Sequence, residues 1–591
     1  MALLCGAALL ATNAVAAPPR PAPADTILHN ASVVTVADQG NFQGAVGIRA
    51  GRIVYVGNEE GARAFVGRAT KSIDVHGQTL MPGLVDGHMH PLAGGSQLLA
   101  CNLDYAALSI VEFQTRIQAC LDKDGDKEPD RLLVVVNWFQ QNMEGGTTSA
   151  PTHALLDGLK TRRPIAVRSS FYHSTLINAR GLQLSGITAA TKDPAGGRIN
   201  RDAAGNPTGL LEDAAQSLID ALDRTPTPAE NVTAAKAALA ALSAQGVTTF
   251  LDAAASAESI AAFATVQKQG GLTARAHFAI VIEPDQADAP AKTVAALKDL
   301  AAKYDQGAIG TAPTITVRNA KLFLDGGITA PAFTGSMLEP YLVNQGTAEK
   351  PDWVPGTNRG PDPYFPRAKL AELLVGLSDV GVDAHLHADG DGAVRVALDA
   401  IQTLKQRRPG QDVRTAVAHN EVTSPADFGR FAQLGAIPVL TFQWEKRAVD
   451  TVDGAENFLG PHRFSKIEPA GYLQRAGARI AYGSDWPVDP LDEMYALKVA
   501  VTRTAGDDAP PQYRGRLGDD PGLSLQEAVK AITLNSSYQL RQVHLTGSIE
   551  VGKLADLVVL DRNVFTIPAE DIAKTKVQMT MVGGQVVYRR P

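Results

Sequence analysis

The sequence has few cysteines and no excess of positive charge. Its 591 residues include three cysteines, none in a Cys-x-x-Cys arrangement, which argues against zinc fingers and iron–sulfur clusters. The formal net charge is -7 at pH 7, so there is no basic excess of the kind that binds nucleic acid or anionic membranes. A bound metal ion would therefore need His, Asp, Glu or Lys as its ligands.

The apolar run at the N-terminus, residues 1–16, is too short to span a bilayer. It ends in Ala14-Val15-Ala16, which resembles a signal-peptide cleavage site, and a Pro- and Ala-rich stretch follows. We therefore predict that residues 1–24 are a signal peptide and linker, and that the protein is periplasmic or secreted. The usual basic residues at the start are missing, so a cytoplasmic location is the alternative. An oxidising compartment would permit a disulfide between Cys101 and Cys120.

The two ends of the chain share a pattern of short β segments separated by turn residues. One set lies within residues 26–82 and the other within residues 547–588. We predict that the two sets form one small composite β-sandwich domain, residues 25–82 plus 540–591. The rest of the chain would then be inserted into this domain.

Between these ends, helical runs rich in Ala and Leu alternate with strands, which is the pattern of a parallel barrel. The predicted fold class is α/β, a (β/α)8 TIM-like barrel over residues 83–539. Far more residues separate the first two strands than a βα connection needs. We predict a subdomain inserted there, at about residues 100–225, that overhangs the barrel mouth. The predicted strands lie at 84–85, 247–251, 275–281, 315–324, 382–387, 415–419, 437–442 and 479–482.

Active sites of such barrels lie at the C-terminal ends of the strands. The first strand runs into His88 and His90, which are two residues apart and so point to the same side of an extended chain. Neutral imidazoles are good ligands for zinc and similar ions. Two surface histidines near a turn are the alternative interpretation.

Four later strands also carry polar residues where chemistry is expected. Lys321 lies inside an apolar strand, where a charged amine is costly to bury. It could pair with an acid, or it could react with carbon dioxide to form a carbamate that bridges two metal ions. His387, His419 and Asp485 close three further strands. A structural histidine or a helix-capping Asp would explain each one alone, but their combination predicts a metal site.

These residues, in this order, resemble the amidohydrolase superfamily of metal-dependent hydrolases. The likeness is closest to its amidohydrolase-3 branch, which includes N-substituted formamide deformylases, and it spans nearly all of the mature chain. The motifs that carry it are Met81–His90, Lys321–Gly326, His387–Ala393, Ala418-His419, Gly483–Pro487, Thr533–Asn535, the segment Gly547–Asp561, and Tyr172–Ser174, Asn178 and Asp193–Gly197 in the insert.

The resemblance implies a centre with two divalent metal ions, expected to be zinc. His88, His90 and Asp485 would hold one ion, His387 and His419 would hold the other, and a carbon dioxide-derived carbamate on Lys321 would bridge them.

The chain departs from the family pattern at two of these strands. His385 gives the fifth strand a second His-x-His and is the alternative ligand to His387, which we favour because it begins the His-Ala-x-Gly-Asp pattern. The sixth strand reads His419-Asn-Glu421, where the branch often shows Glu-His-x-Gln.

The function implied is hydrolysis of a C–N bond, in an amide or N-acyl group of a small molecule, by a metal-activated hydroxide. Asp485 would be the catalytic residue, taking the proton of the water and passing it to the leaving amine. His173 and Trp486 are candidate substrate-binding residues, with packing as the alternative for each.

Several alternatives stay open. The same site could cleave a C–O bond in an ester or lactone, or it could belong to an inactive metal-binding protein. A deaminase fits less well, because deaminases of this superfamily usually hold one metal ion and lack the lysine of the fourth strand. The expected partner is a small-molecule substrate, without nucleic acid or a membrane span. The sequence leaves the metal, the substrate and the oligomeric state open, a homo-oligomer included.

Overall fold

The structure is a computed structural model. It describes residues 21–38, 40–125, 129–140, 143, 151–170, 174–194, 197–330, 332–347, 349–507 and 509–591. The predicted signal peptide, apart from residues 21–24, and His173 lie outside the described residues. Within the described chain, no helix is both long and apolar enough to cross a membrane.

Eight parallel strands form the barrel, and each pairs with the next in chain order. The backbone N–H of Asp485 donates to the carbonyl of His88 across 2.8 Å and so joins the end of the eighth strand to the first. The predicted (β/α)8 fold is therefore confirmed. The strands are Leu84–Met89, Val247–Ala255, Arg275–Val281, Ile315–Phe323, Asp383–Ala388, Ala416–His419, Ile437–Leu440 and Ala481–Tyr482.

Helices follow most of the barrel strands and cover them. The helix Pro228–Ala244 shows why these segments are helical: Thr227 and Glu230 form a reciprocal capping box at its start, and Pro228 occupies the first turn. Gly246, with φ +84°, ends it in the left-handed conformation that glycine adopts readily. The helices of the barrel region are Pro91–Leu99, Pro228–Ala244, Ala257–Lys268, Pro290–Tyr304, Arg367–Asp379, Asp391–Arg407, Phe428–Leu434, Asn457–Phe464, Ala470–Arg475, Glu493–Thr502, Leu525–Lys530 and Ser536–Gln539.

The two ends of the chain build a separate eight-stranded sheet. Its strand Thr79–Pro82 pairs parallel with Thr26–Val34 on one side and antiparallel with Leu557–Leu560 on the other. This sheet therefore joins segments that lie before and after the barrel in the chain. Its other strands are Asn41–Arg49, Arg52–Gly57, Lys71–Asp74, Val577–Val582 and Gln585–Arg589, with a short helix at Glu59–Ala62.

A buried ion pair between Arg275 and Asp556 connects this sheet to the barrel. The guanidinium of Arg275, at the start of the third barrel strand, donates to both carboxylate oxygens of Asp556 at 2.6 and 3.0 Å. Both side chains are fully buried. Asp556 also accepts the backbone N–H of Gly583 at 2.7 Å, so one carboxylate connects the barrel to two segments of the sheet domain.

The insert after the first barrel strand has its own six-stranded sheet, with one hydrophobic cluster on each face. A disulfide between Cys101 and Cys120 joins its first strand to the helix Ile110–Asp124. The hydroxyl of Tyr105 donates to the carbonyl of Pro487 at 2.7 Å, which places part of the insert at the barrel mouth. The strands are Cys101–Asn102, Leu133–Trp138, Ile165–Ser169, Ser174–Ile177, Gly197–Arg201 and Pro207–Asp213, with short helices at Ala154–Asp157 and Ala179–Leu184, and a small hairpin, Leu342–Asn344 with Trp353–Pro355, lies beyond the fourth barrel strand.

Candidate metal centre

The barrel mouth brings the predicted ligands of the first and eighth strands together. Oδ1 of Asp485 lies 3.3 Å from Nε2 of His88 and 3.0 Å from Nε2 of His90. Nζ of Lys321 lies 3.5 Å from the same nitrogen of His88. A carboxylate from the eighth strand and an amine from the fourth strand therefore both lie beside Nε2 of His88.

The two predicted ligands of the fifth and sixth strands lie beside this group. The ring of His419 is 4.6 Å, centre to centre, from the rings of both His88 and His387. His419 thus links the two halves of the predicted centre, so all six predicted ligands lie in one connected cluster.

In the described part of the chain, two groups of side chains have donor atoms close enough to share a metal ion. Within each group the donor atoms lie within 4.8 Å of one another. One group is His88, His419 and Asp485, and the other is His387, Asp389 and His419. Asp389 is not among the ligands predicted from the sequence.

The residues of these groups fit a bound cation. Nε2 of His387, Nδ1 of His419 and Oδ1 of Asp389 are buried atoms without a hydrogen-bond partner among the described residues. Buried polar atoms are nearly always satisfied in native proteins. A divalent ion accepts nitrogen and carboxylate donors of this kind, so the unpaired atoms indicate where it would bind.

Burial keeps the histidines in the neutral form that binds metal. It lowers the pKa of His387 to about 3, with the charge of Lys321 adding to the effect, and holds the pKa of His88 and His419 well below the usual value. Burial also lowers the pKa of Lys321 to about 8, against the opposing charges of Asp485 and Asp389. The uncharged amine is therefore much more populated near neutral pH than it would be at the ordinary lysine pKa of 10.5.

Asp485 stays ionised although it is buried. Burial by itself would raise the pKa of this carboxyl, but the hydrogen bond with His90 and the electrostatic interactions with His419 and Lys321 lower it below its ordinary value. A buried carboxylate among imidazoles is suited both to binding a cation and to accepting a proton.

Two of the predicted ligands sit on strained backbone. Asp485 has φ +55° and His419 has φ +73°, in the left-handed region that residues other than glycine rarely adopt. Such conformations persist where the surrounding structure enforces them, and they are concentrated at functional sites. Here they turn the side chains at the ends of two strands into the barrel mouth.

Gly483 allows the eighth strand to approach the first. A Cβ atom on this residue would lie 2.3 Å from Cβ of His88, which is closer than real contacts permit. The glycine of the Gly-Ser-Asp-Trp motif is therefore required by the position of His88.

Two buried aspartates hold the ligand-bearing turns in place. Asp86 accepts the backbone N–H groups of His88 and Ser484, each at 3.1 Å, and so ties the first strand to the eighth. Asp325 accepts the N–H of Asp389 at 3.0 Å and that of Gly390 at 2.9 Å. Both aspartates lie within the sequence motifs of the family resemblance, but no role was predicted for either of them. The available signal was an acidic residue inside or directly after an apolar strand.

The two histidines of the fifth strand have different surroundings. His387 belongs to the second donor group, whereas Nε2 of His385 lies 2.7 Å from Nδ1 of His88. His385 is in neither of the two groups. The structure thus places His387 in a candidate donor group and His385 next to His88, another predicted ligand.

Two tryptophans lie near the centre, the candidate substrate-binding residue Trp486 and a second one, Trp444. Trp486 is 4% exposed, and its ring packs against Gly94, where an added Cβ would come within 2.4 Å of it. Trp444, which is not among the residues predicted from the sequence, stacks on the ring of His419, with 5.3 Å between the ring centres and 13° between the ring planes. It is half-buried and lies in the short turn that follows the seventh barrel strand, which ends at Leu440.

The fold and the site together define the class of metal-dependent hydrolases built on a parallel barrel. The family model described as "Amidohydrolase family" matches residues 71–588, and the chain belongs to this family, in its amidohydrolase-3 branch. The resemblance stated from the sequence motifs is therefore confirmed.

Individual proteins match over almost the whole chain. The N-substituted formamide deformylase of Arthrobacter pascens is 25% identical, over 96% of this chain and 98% of its own length. An uncharacterized metal-dependent hydrolase from Pyrococcus horikoshii has the same fold, with a TM-score of 0.68 at 20% identity over 92% of this chain and 99% of that one. A zinc-bound adenosine deaminase from Xanthomonas campestris has a TM-score of 0.52 at 17% identity, over 96% and 93% of the two chains.

Proposed function

We propose that this amidohydrolase cleaves a C–N bond, in an amide or N-acyl group of a small molecule. The observation that carries the proposal is the position of Asp485. Its carboxylate lies within 3.3 Å of two imidazoles, is buried, and has a pKa below the ordinary value. A metal-binding protein without activity would not need an ionised proton acceptor at this point.

We also propose that the centre holds two zinc ions. His88, His90 and Asp485 would hold one, His387 and His419 would hold the other, and Lys321 would bridge them as a carbamate. The two donor groups that share His419 support this proposal, and so do the imidazole and carboxylate ligands, which suit zinc. When bound, such ions act as Lewis acids toward a carbonyl and lower the pKa of water toward about 7.

The state of Lys321 supports the carbamate. Carbon dioxide reacts with an uncharged amine: a bond forms between Nζ and the carbon, and the nitrogen loses one proton to solvent. Burial lowers the pKa of Lys321 to about 8, so its uncharged form is populated near neutral pH. The carbamate would carry a negative charge next to the bound cations. Their attraction would offset the free-energy cost of burying this side chain.

Asp485 would then accept the proton of the attacking water and deliver it to the nitrogen of the leaving amine. An amine needs this proton to leave, whereas the alkoxide of an ester needs it less. The relative in Arthrobacter pascens, whose name states that it acts on N-substituted formamides, favours the C–N bond over a C–O bond. Trp444, half-buried beside His419, would form one wall of the substrate pocket.

The test is metal content per chain together with hydrolysis, for the parent and for Lys321→Ala, each produced with zinc and bicarbonate. Lys498→Ala is the matched control, because it removes another buried lysine, which donates to the carbonyls of Thr504 and Ala505. Substrates are N-substituted formamides and N-acyl amines, with matched esters and lactones.

Two ions in the parent, falling to one or none in Lys321→Ala with loss of amide hydrolysis, would support the proposal. One ion in both proteins, with activity kept, would contradict the bridging carbamate. Faster cleavage of the matched esters or lactones would favour the C–O alternative. Bound metal with no turnover on any substrate would favour a protein without hydrolase activity.

We further propose that the protein is exported to the periplasm or secreted. The disulfide between Cys101 and Cys120 supports this location, because such bonds persist in oxidising compartments. Cell fractionation combined with thiol labelling of the purified protein tests it. Recovery in the cytoplasmic fraction with two free thiols would contradict it.

A further inference from the structure

Asp389 occupies an unusual position beside the second donor group. It follows the fifth barrel strand directly and precedes the helix Asp391–Arg407, at the variable position of the His-Ala-x-Gly-Asp pattern. The residue is 4% exposed, and its Oδ1 has no hydrogen-bond partner within the described chain. Buried polar atoms without a hydrogen-bond partner are rare in native proteins, so this oxygen is a candidate to bind a ligand.

The distances around Asp389 suit a shared cation. Its Oδ2 lies 3.7 Å from Nε2 of His387, and the donor atoms of His387, His419 and Asp389 lie within 4.8 Å of one another. Atoms bound at about 2.0–2.2 Å to one tetrahedral ion lie about 3.3–3.6 Å apart. Small rotations of the three side chains would therefore bring them onto a single ion.

The turn that carries Asp389 is fixed without the use of its side chain. Asp325 accepts the backbone N–H of Asp389 at 3.0 Å and that of Gly390 at 2.9 Å. The carboxylate of Asp389 is therefore left to point at the imidazoles while its backbone is held in place. Preorganisation of this kind is typical of metal ligands.

Asp389 belongs to a group of buried acidic side chains, and a nearby cation would stabilise this group. Its carboxyl lies in hydrogen-bonding range of the Glu421 carboxyl, and the carboxyls of Asp325 and Glu468 are its further acidic neighbours. All four side chains are largely buried. Several buried acids together are costly unless positive charge offsets them. A divalent ion between Asp389 and the histidines supplies that charge.

We propose that Asp389 is a ligand of the ion held by His387 and His419. The inference rests on the proposed metal centre and extends it. Each ion would then have one aspartate of its own, Asp485 for the first and Asp389 for the second. The site takes a divalent cation that binds nitrogen and carboxylate oxygen, of the class of zinc, cobalt or manganese.

The test is Asp389→Asn, with Glu421→Gln as the matched control that removes a neighbouring carboxyl outside the donor group. Metal content is measured by mass spectrometry, the affinity of each ion by competition with a chelator, and the coordination by the absorption spectrum of the cobalt-loaded protein. Outer partners of metal ligands typically contribute 10–100-fold in affinity. Asp389→Asn should therefore lower the affinity for the second ion by more than about 100-fold, and Glu421→Gln should lower it by less.

A second variant keeps the test decisive if Asp389→Asn does not fold. In Asp389→Cys, a sulfur ligand should give the cobalt-loaded protein a new sulfur-to-cobalt charge-transfer band in the near ultraviolet. Absence of this band in a folded, cobalt-loaded variant would overturn the inference.

The outcomes separate this inference from the proposed function. Two ions in both the parent and Asp389→Asn, with unchanged cobalt spectra, would overturn the role of Asp389 alone. A single ion in the parent that is lost in Asp389→Asn would support that role while contradicting the two-ion centre. A single ion unaffected by Asp389→Asn would contradict both. Unchanged metal binding with a raised KM would also overturn the inference, because Asp389 would then contact substrate.

Discussion

Nε2 of His385 lies 2.7 Å from Nδ1 of His88, and both side chains are buried. One of these nitrogens must carry the hydrogen that the other accepts. The bond uses Nδ1 of His88 and leaves its Nε2 for the side where Asp485 and Lys321 lie. We therefore expect His385 to act as a positioning residue for the predicted metal ligand His88.

Replacing His385 should lower the affinity for the metal ion without removing any of the predicted ligands. His385→Ala removes the partner that orients His88, and partners of this type contribute about 10–100-fold in metal affinity. We expect chelator competition to show a loss in that range. His277→Gln is the control, since His277 is another buried barrel histidine with its hydrogen bond to Gln542 rather than to a ligand. Equal metal loss in both variants would show that any buried histidine substitution has this effect.

Gly483→Ala should displace His88 and disrupt the centre. The new Cβ would lie 2.3 Å from Cβ of His88 and 2.8 Å from its backbone nitrogen, so the first and eighth strands would have to separate. We expect metal content below that of the parent and hydrolysis reduced by at least about tenfold, because a misplacement of about 1 Å costs on the order of 100-fold.

Gly310→Ala is the matched control for this substitution. A Cβ at Gly310 would meet no heavy atom within 4 Å among the described residues, and its φ is not in the left-handed region. It should keep the metal content and activity of the parent. Full activity in Gly483→Ala would show that the strands tolerate the added atom.

Asp556→Asn should destabilise the connection between the barrel and the sheet domain. It leaves the guanidinium of Arg275 buried without its charge partner, and breaking such a pair costs about 3–5 kcal/mol. Urea denaturation should show this loss in the free energy of unfolding. The double variant Arg275→Met with Asp556→Leu should recover part of it, because it removes both charges. A double variant less stable than Asp556→Asn would contradict this account.

His277 should make the protein sensitive to acid. Burial lowers its pKa to about 4, with the charges of Arg318 and Arg275 acting in the same direction, against about 6.5 in the unfolded chain. The unfolded chain therefore binds more protons between these pH values. The stability from this group is present above pH 6.5 and is lost as the pH falls toward 4.

The size of this effect is about 3 kcal/mol, from a shift of roughly 2.5 units at 1.36 kcal/mol each. His277→Gln, which does not titrate, should lose less stability than the parent over this pH range by about that amount. The measurement is the free energy of unfolding at pH 4, 5, 6 and 7. Parallel pH curves for the two proteins would contradict the prediction.

Most of the fold was predictable because each barrel strand is a local apolar run that ends in a recognisable polar residue. His88, His90 and Asp485 could be found for the same reason. The position of Asp389 beside His419 could not, because it depends on register: Ala388 pairs with His419, so the next residue of the fifth strand reaches the end of the sixth. The bond between His385 and His88 joins strands that are not neighbours, and no local pattern encodes it.

The sheet built from both ends of the chain has a consequence for biosynthesis. On the ribosome, Thr79–Pro82 is made before the barrel, and its partner Leu557–Leu560 is made after it. Until then, the edge of Thr79–Pro82 that later pairs with Leu557–Leu560 has unpaired backbone N–H and C=O groups. Such an edge can pair with strands of other chains. The sheet can therefore be completed only after the whole barrel has been translated, although its first strands are synthesised before the barrel.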